Sequence, residues 1–198
     1  MKVGIILFDN FTDADFFLHW DLLNRVKLFN LHDDWQVAIL GTAATHLSAA
    51  GLKVETTGSI DDVKSCDGVL LCSGFGTRDL IGDQAYLDRL TFRQNQIIAM
   101  QCSGSLILGA KGMLNDVKVT AYPPIVKLLK EYGAQPIDNT LVVDGQLASA
   151  SSCLGSVLLS SYLIENLIGE SARQEVVKSI RPVSGFTDFS ERCSGKLI

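Results

Sequence analysis

The chain has 198 residues, 47% of them hydrophobic and 20% charged, with a net charge of −5 at pH 7. This size suits one domain with a substantial core. Nucleic-acid binding needs a concentrated Lys/Arg surface, which the sequence lacks, and no apolar run approaches the roughly 20 residues of a membrane span. These features argue against nucleic-acid and membrane partners.

Strands and helices alternate along the chain. The first half predicts a strand over 3–8, a helix over 13–26, a strand over 35–40, a hairpin or strand pair over 47–56, a strand over 68–72 and a long helix over 77–95. The second half predicts a strand over 97–100, a helix over 105–113, a strand over 117–122, a helix over 125–132, a hairpin over 140–150 and helices over 153–168 and 171–180. Residues 181–198 have no clear pattern and are expected to form an irregular tail.

Repeated strand–helix units indicate a mostly parallel, twisted sheet with helices on both faces. We therefore predict a single α/β domain over 1–198. In such sheets ligands bind at the carboxyl ends of the strands. Two predicted strand ends are rich in small residues, at 73–76 and at 102–105, and these ends are the candidate site.

Five cysteines, at positions 66, 72, 102, 153 and 193, lack any C-x-x-C spacing. Their odd number and their spacing argue against a disulfide framework and a zinc site. The first apolar stretch is too short for a signal sequence and no small-residue cleavage site follows it. We therefore expect a cytoplasmic protein with free thiols.

Cys102 lies where a buried strand runs directly into an apolar helix. A side chain at such a junction sits in a strained turn with its tip exposed, and Gly104 lets the backbone turn. The N–H groups at the helix start are expected to favour the thiolate, which is the nucleophile. The N–H groups of Ser103 and of Gly74 or Phe75 would form an oxyanion hole. The alternative is a buried structural cysteine.

Four segments resemble a known family. They are CSGSLILGAKGML at 102–114, DGVLLCSGFG at 67–76, SCLG at 152–155 and DADF at 13–16. In these motifs the chain resembles the PfpI/ThiJ superfamily, relatives of the class I glutamine amidotransferases, and especially its isonitrile hydratase branch. The resemblance implies a flavodoxin-like, class I amidotransferase-like sandwich with a nucleophile elbow at Cys102, and assembly as a homodimer.

The resemblance places an acid facing the cysteine at Asp15. This residue lies in the first turn of the first predicted helix, for which Asp13 is the predicted N-cap. An ordinary solvated acid at a helix start is the alternative. If Asp15 is held against Cys102 and protonated by burial, it would supply or take a proton during a reaction.

A histidine that many relatives pair with the cysteine is missing. All three histidines precede Cys102, and Tyr122 stands at the position where the resemblance expects the later one. This difference argues against a PfpI-type protease or amidase and weakens a glyoxalase-like activity. His19, one turn after Asp15, is a candidate near the site, with a surface or partly buried helix position as the competing interpretation.

Cys153 is a second thiol of interest, at the predicted start of a buried helix. The resemblance places it near Cys102, which raises the hypothesis of a reversible disulfide. The alternative is a small packed core residue.

The residues support three hypotheses for function. In the first, Cys102 attacks a small electrophilic carbon, Asp15 moves the proton, and water is the second substrate. No metal or organic cofactor is expected, because the sequence has no ligand cluster or phosphate-binding loop. The second hypothesis is a redox-sensing or stress-response protein with an oxidisable Cys102. The third is a non-catalytic sensor of a small ligand.

Overall fold

A computed structural model describes residues 1–181. The strands are β1 (Lys2–Ile6), β2 (Gln36–Gly41), β3 (Thr45–Leu47), β4 (Lys53–Glu55), β5 (Gly58–Ser59), β6 (Gly68–Leu71), β7 (Ile97–Gln101), β8 (Lys118–Val119), β9 (Gln135–Pro136), β10 (Leu141–Asp144) and β11 (Leu147–Ala150). The α-helices are α1 (Asp13–Leu28), α2 (Thr77–Leu80), α3 (Gln84–Arg89), α4 (Ser105–Ala110), α5 (Val126–Glu131), α6 (Ser156–Ile168) and α7 (Glu170–Ile180). None of these helices is long and apolar enough to cross a membrane. Apart from Arg181, the expected tail lies outside the described residues, as does Cys193.

Seven of the described strands form one sheet in the order β10-β11-β7-β6-β1-β2-β5. The pairs are parallel except for β10 with β11. The two predicted hairpins are present as β3–β4 and β10–β11, both antiparallel. This mostly parallel sheet with helices around it confirms the predicted fold class.

The connections place helices on both faces of the sheet. From β1 the chain passes through α1 to the neighbouring strand β2. From β6 it passes through α2 and α3 to β7, which is the opposite direction across the sheet. Because such crossovers are right-handed, opposite directions put the helices on opposite faces. Helices α6 and α7 pack with α1, whereas α4 contacts α2 and α5. All four residues of β6 are buried, as expected for a strand covered on both sides.

The predicted helix over 77–95 is wrong. The structure has α2, a turn at Gly82, and then α3. Asp83 begins this second helix by accepting a hydrogen bond from the Tyr86 N–H at 3.0 Å. Asp is a preferred N-cap residue, and here it directly follows a glycine. These local signals start a new helix, although the apolar spacing predicted one continuous helix.

The predicted strand over 117–122 is also wrong, since only Lys118–Val119 is extended in a sheet. The Thr120 N–H donates to Ser149 Oγ at 2.8 Å, so it does not continue the ladder. Pro123 follows Tyr122 and starts a short 3₁₀ turn.

The predicted N-cap of α1 is wrong by one residue. Thr12 is the N-cap, and Asp13 is the first residue of the helix. The Asp13 carboxylate instead accepts a hydrogen bond from the Ala50 N–H at 3.3 Å.

Gly104 lets the cysteine turn lie directly against the end of β6. A Cβ atom at this position would be 2.5 Å from the Leu71 carbonyl oxygen and 2.6 Å from that of Cys72. We expect Gly104→Ala to lower the free energy of unfolding by about 1–3 kcal/mol, because backbone atoms would have to move. Urea unfolding followed by circular dichroism measures the change.

Gly82→Ala is the matched control for this substitution. A Cβ atom at Gly82 would have the Asp79 carbonyl oxygen as its nearest neighbour, at a van der Waals distance of 3.7 Å. An equal loss of stability in both variants would show that the turn does not need a close approach at Gly104.

Candidate functional site

The candidate site is a cavity of about 290 Å³ at the carboxyl ends of β6, β7 and β11, beside the start of α1. Such a position is where open parallel sheets bind ligands. The lining residues are Thr12, Asp15, Ser73, Gly74, Phe75, Arg78, Cys102, Ser103, Tyr122, Ser152 and Cys153. Seven of the eight residues singled out in the sequence therefore lie at one cavity, and the eighth, His19, lies behind it.

Cys102 occupies the strained turn that the sequence predicts. Its φ of 49° is in the left-handed region, and it begins a short 3₁₀ turn between β7 and α4. A non-glycine residue held there costs about 1–3 kcal/mol, and such strain is concentrated at functional sites. The Ser105 hydroxyl donates to the Cys102 carbonyl at 3.0 Å and so helps to hold the turn.

The sequence predicts that the turn favours the thiolate of Cys102, but in the structure the pKa of this thiol is raised. Burial raises the pKa of the Cys102 thiol, and the negative charge of Asp15 raises it further. Hydrogen bonds from the backbone N–H of Ser103, the Ser73 hydroxyl and the backbone N–H of Tyr122 lower this pKa, but they do not outweigh burial. A turn of three residues followed by a helix of six supplies only a few N–H groups to the sulfur.

Asp15 is fully buried rather than a solvated helix-start acid. The Ser73 hydroxyl donates a hydrogen bond to one carboxyl oxygen, and the Gln101 amide approaches the other at 3.4 Å. Burial raises the pKa of Asp15, against the effect of hydrogen bonds from Ser73, Cys153 and Gln101. The protonated form is therefore favoured more than in water, which is the state that the sequence interpretation required.

The loop after β6 joins the start of α1 and the cysteine turn. The Thr12 N–H donates to the Ser73 carbonyl at 2.8 Å. The Gly74 N–H donates to Ser103 Oγ at 3.1 Å, and the same hydroxyl lies 3.3 Å from the Gly74 carbonyl. The Gly74 N–H is engaged in this way, and the Ser103 N–H interacts with the Cys102 sulfur. Of the predicted oxyanion donors, the Phe75 N–H is the one that bonds to no acceptor among the described residues.

Tyr122 reaches the site through its backbone rather than its ring. Its N–H contacts the Cys102 sulfur, while 46% of the residue is exposed. The side chain lines the cavity mouth, where it takes no part in the hydrogen bonds of Cys102 or Asp15.

His19 is fully buried, contrary to the interpretation of a surface or partly buried helix position. Its Nδ1 is 2.6 Å from Ser160 Oγ on α6, and its Nε2 is 3.2 Å from Gln101 Oε1. Burial lowers the pKa of His19 to about 4, so the ring is neutral near pH 7. With Nε2 protonated, the ring donates to Gln101 and accepts from Ser160.

Gln101 links this histidine to the acid. Its amide nitrogen donates to the Ser152 carbonyl at 2.6 Å and faces Asp15, while its oxygen faces His19. The sequence analysis missed Gln101 and Ser73. The available signal for Gln101 was its position, because it is a polar residue that ends the apolar run of β7 next to Cys102.

Among residues 1–181, no group of three or more His, Cys, Asp or Glu side chains is arranged to hold a metal ion. The side-chain oxygen and sulfur atoms at the cavity come from one carboxyl, two thiols and several hydroxyls, and the Ser73 hydroxyl donates to the carboxyl of Asp15.

Comparison with known proteins agrees with this geometry. The sequence profile of the DJ-1/PfpI family matches residues 1–166. The chain belongs to the DJ-1/PfpI family. Among curated relatives in sequence, the isonitrile hydratase of Pseudomonas putida is 26% identical over 178 residues, which cover 89% of this chain and 76% of that protein.

Solved DJ-1 structures share the fold of this family member. Schizosaccharomyces pombe DJ-1 is 17% identical with a TM-score of 0.77, over 91% of this chain and 98% of that one. Drosophila melanogaster DJ-1beta is 21% identical with a TM-score of 0.78, over 90% of this chain and 96% of that one. At these identities the likeness shows the fold alone.

Replacing Asp15 by Asn should stabilise the protein increasingly as the pH rises above about 4. The folded pKa of Asp15 is raised above 3.8, so its contribution to stability is present below the unfolded pKa and is lost as the pH rises through the folded pKa. Asn does not titrate. The difference in Tm between variant and wild type, measured from pH 4 to 9, should therefore grow and then level off. A difference that is constant with pH would contradict burial of a titrating acid.

Replacing Gln101 by Met should raise the pKa of Asp15 further, because the amide N–H that faces the carboxylate is lost. Carbon-13 NMR titration of labelled aspartate carboxyls measures this shift. Ser160→Ala is the control, since it removes a partner of His19 without touching Asp15. Equal shifts in both variants would mean that Gln101 acts only through general loosening of the core.

Proposed function

We propose that the protein is a cysteine-dependent enzyme that hydrates or hydrolyses a small electrophilic carbon, of the isonitrile hydratase type. The observation that carries the proposal is the pairing, in one cavity, of Cys102 on a strained turn with a buried acid, Asp15. Among the described residues, no histidine lines that cavity. The sequence relationship to an isonitrile hydratase supports this substrate class over others.

A thiol and an acid whose pKa values are both raised suit an isonitrile. Burial raises the pKa values of Cys102 and Asp15, so each group holds its proton more strongly than in water. The terminal carbon of an isonitrile accepts both a proton and a nucleophile. In the proposed first step, Asp15 protonates this carbon, the Cys102 sulfur bonds to it, and the thiol proton passes to Asp15. The product is a thioimidate, and the acid is restored.

Water completes the proposed reaction. It adds to the thioimidate carbon, Asp15 passes a proton to the nitrogen, and the carbon–sulfur bond breaks to release an N-substituted formamide. The thiol of Cys102 regains its proton. The N–H groups of Ser103 and Phe75 are proposed to stabilise charge on the atoms attached to this carbon, since both residues line the cavity.

The rim of the cavity favours a substrate with an apolar substituent. Phe75 is 70% exposed and Tyr122 46% exposed, and both residues line the cavity. Arg78 stacks over the Phe75 ring, with its guanidinium carbon 5.8 Å from the ring centre. We propose that the organic group of the substrate lies between these rings while its reactive carbon reaches the sulfur.

We further propose that the protein acts as a homodimer in the cytoplasm. Leu154 lies in the short 3₁₀ turn before α6 and is 75% exposed, and Leu158 lies in the first turn of α6 and is 43% exposed. Two exposed leucines that follow the cavity residue Cys153 so closely support an interface between subunits.

Cys102→Ser and Asp15→Asn should each lower the rate of formamide production from a panel of alkyl and aryl isonitriles. Loss of a positioned general acid reduces the rate by about 10²–10⁴-fold, and loss of the nucleophile should remove turnover. Chromatography with mass detection of the formamide measures the rate.

Asp13→Asn is the matched control, because this acid lies on the same helix turn but does not line the cavity. It should retain the wild-type rate. An Asp15→Asn enzyme with the rate of the control would remove Asp15 from the mechanism. Absence of turnover by the wild type, with ligand binding retained in Cys102→Ser, would favour a non-catalytic sensor instead.

A further inference from the structure

A second thiol lies in the cavity beside the proposed nucleophile. Cys153 and Cys102 both line it, and both are partly accessible. They follow the ends of neighbouring parallel strands, which lie level because Ala150 of β11 pairs with Gln101 of β7. The Gln101 side chain also reaches the Ser152 carbonyl at 2.6 Å and so connects the two strand ends.

The Asp15 carboxylate affects both thiols. The Cys153 thiol donates a hydrogen bond to the carboxylate, and the Asp15 charge also acts on the Cys102 sulfur. Burial, and then the bond to Asp15, raise the pKa of Cys153 to about 12, which keeps it protonated. Cys102 differs because the N–H groups of Ser103 and Tyr122 are directed at its sulfur. Of the two, Cys102 is therefore the thiol that an oxidant attacks first.

The other described cysteines are placed differently. Cys66 and Cys72 are fully buried in the core, and neither lines the cavity. Cys102 and Cys153 are thus the one pair of described thiols that share access to a small oxidant.

We propose that Cys102 and Cys153 form a reversible disulfide when the protein meets a hydroperoxide, so that the cavity is also a redox switch. In the first step, the Cys102 sulfur attacks one peroxide oxygen and gives up its thiol proton, the O–O bond breaks, and the leaving oxygen takes that proton to become water or an alcohol. Cys102 is now a sulfenic acid. The peroxide has been reduced by two electrons.

In the second step, the Cys153 sulfur attacks the Cys102 sulfur and the S–O bond breaks. The Cys153 proton passes to Asp15, which it already contacts, and on to the leaving hydroxide, which departs as water. A cellular dithiol reverses the reaction. The disulfide would protect Cys102 from the irreversible sulfinic state and would close the cavity to a substrate.

Treatment of the full-length protein with one equivalent of hydrogen peroxide tests this proposal without any substrate, so its outcome is separate from that of the hydratase assay. Intact mass should fall by two hydrogen atoms, and non-reducing peptide mapping should join the peptides of Cys102 and Cys153. Dithiothreitol should restore the starting mass. The variant Cys153→Ser should lose the crosslink completely and gain one oxygen atom at Cys102 instead, as the sulfenic acid.

Cys66→Ser and Cys193→Ser are the controls, and both should still form the crosslink. Cys153→Ala is a second variant in case the serine disturbs folding, with circular dichroism as the check. A wild-type protein that gains oxygen without crosslinking would overturn the proposal. A crosslink from Cys102 to Cys193 rather than to Cys153 would overturn it as well.

Discussion

Burial of the Asp15 carboxyl group is the constraint on which the site depends. Among residues 1–181 no cationic side chain pairs with it, so hydrogen bonds from neutral groups must compensate for the lost water. Ser73, Gln101 and Cys153 provide them from three strand ends. The His19 ring cannot supply a charge, because its pKa is lowered to about 4, and it serves instead to orient Gln101. The acid is thereby held in place while its protonated form stays accessible.

The cysteine turn is held by backbone contacts that leave no room for larger residues. Gly104 lies against the carbonyl groups at the end of β6, and a Cβ at Gly74 would be 2.2 Å from the Asn10 carbonyl oxygen. Ser103 joins the two loops through its hydroxyl. Cys102 directly follows β7, which is paired with β6 on one side and with β11 on the other. This pairing holds Cys102 at its positive φ. Strain at Cys102 is thus maintained by the sheet rather than by the turn itself.

The direction of the pKa shifts at Cys102 and Asp15 distinguishes the site from a thiolate–imidazolium pair. A cysteine beside a protonated histidine is reactive near neutral pH, whereas burial here raises the pKa values of both Cys102 and Asp15. Such a pair suits substrates that need a proton and a sulfur nucleophile together. The same arrangement places Cys153 where it contacts the acid, so one carboxyl group would serve both the proposed hydration and the proposed thiol oxidation.

Periodicity and motifs in the sequence were sufficient for the parallel sheet, the two hairpins and the cysteine turn, because these features depend on local spacing and on continuous apolar runs. The resemblance to a known family, rather than periodicity, placed Asp15 and Cys153 near Cys102, and all three residues line the cavity. Sequence alone misjudged the 77–95 helix, where a local cap competed with apolar spacing, and it misjudged His19. Whether that ring is buried depends on α6, which is more than 100 residues away and supplies Ser160. The direction of the cysteine and acid pKa shifts was likewise decided by tertiary structure, since desolvation comes from every element packed around the cavity and no short segment encodes it.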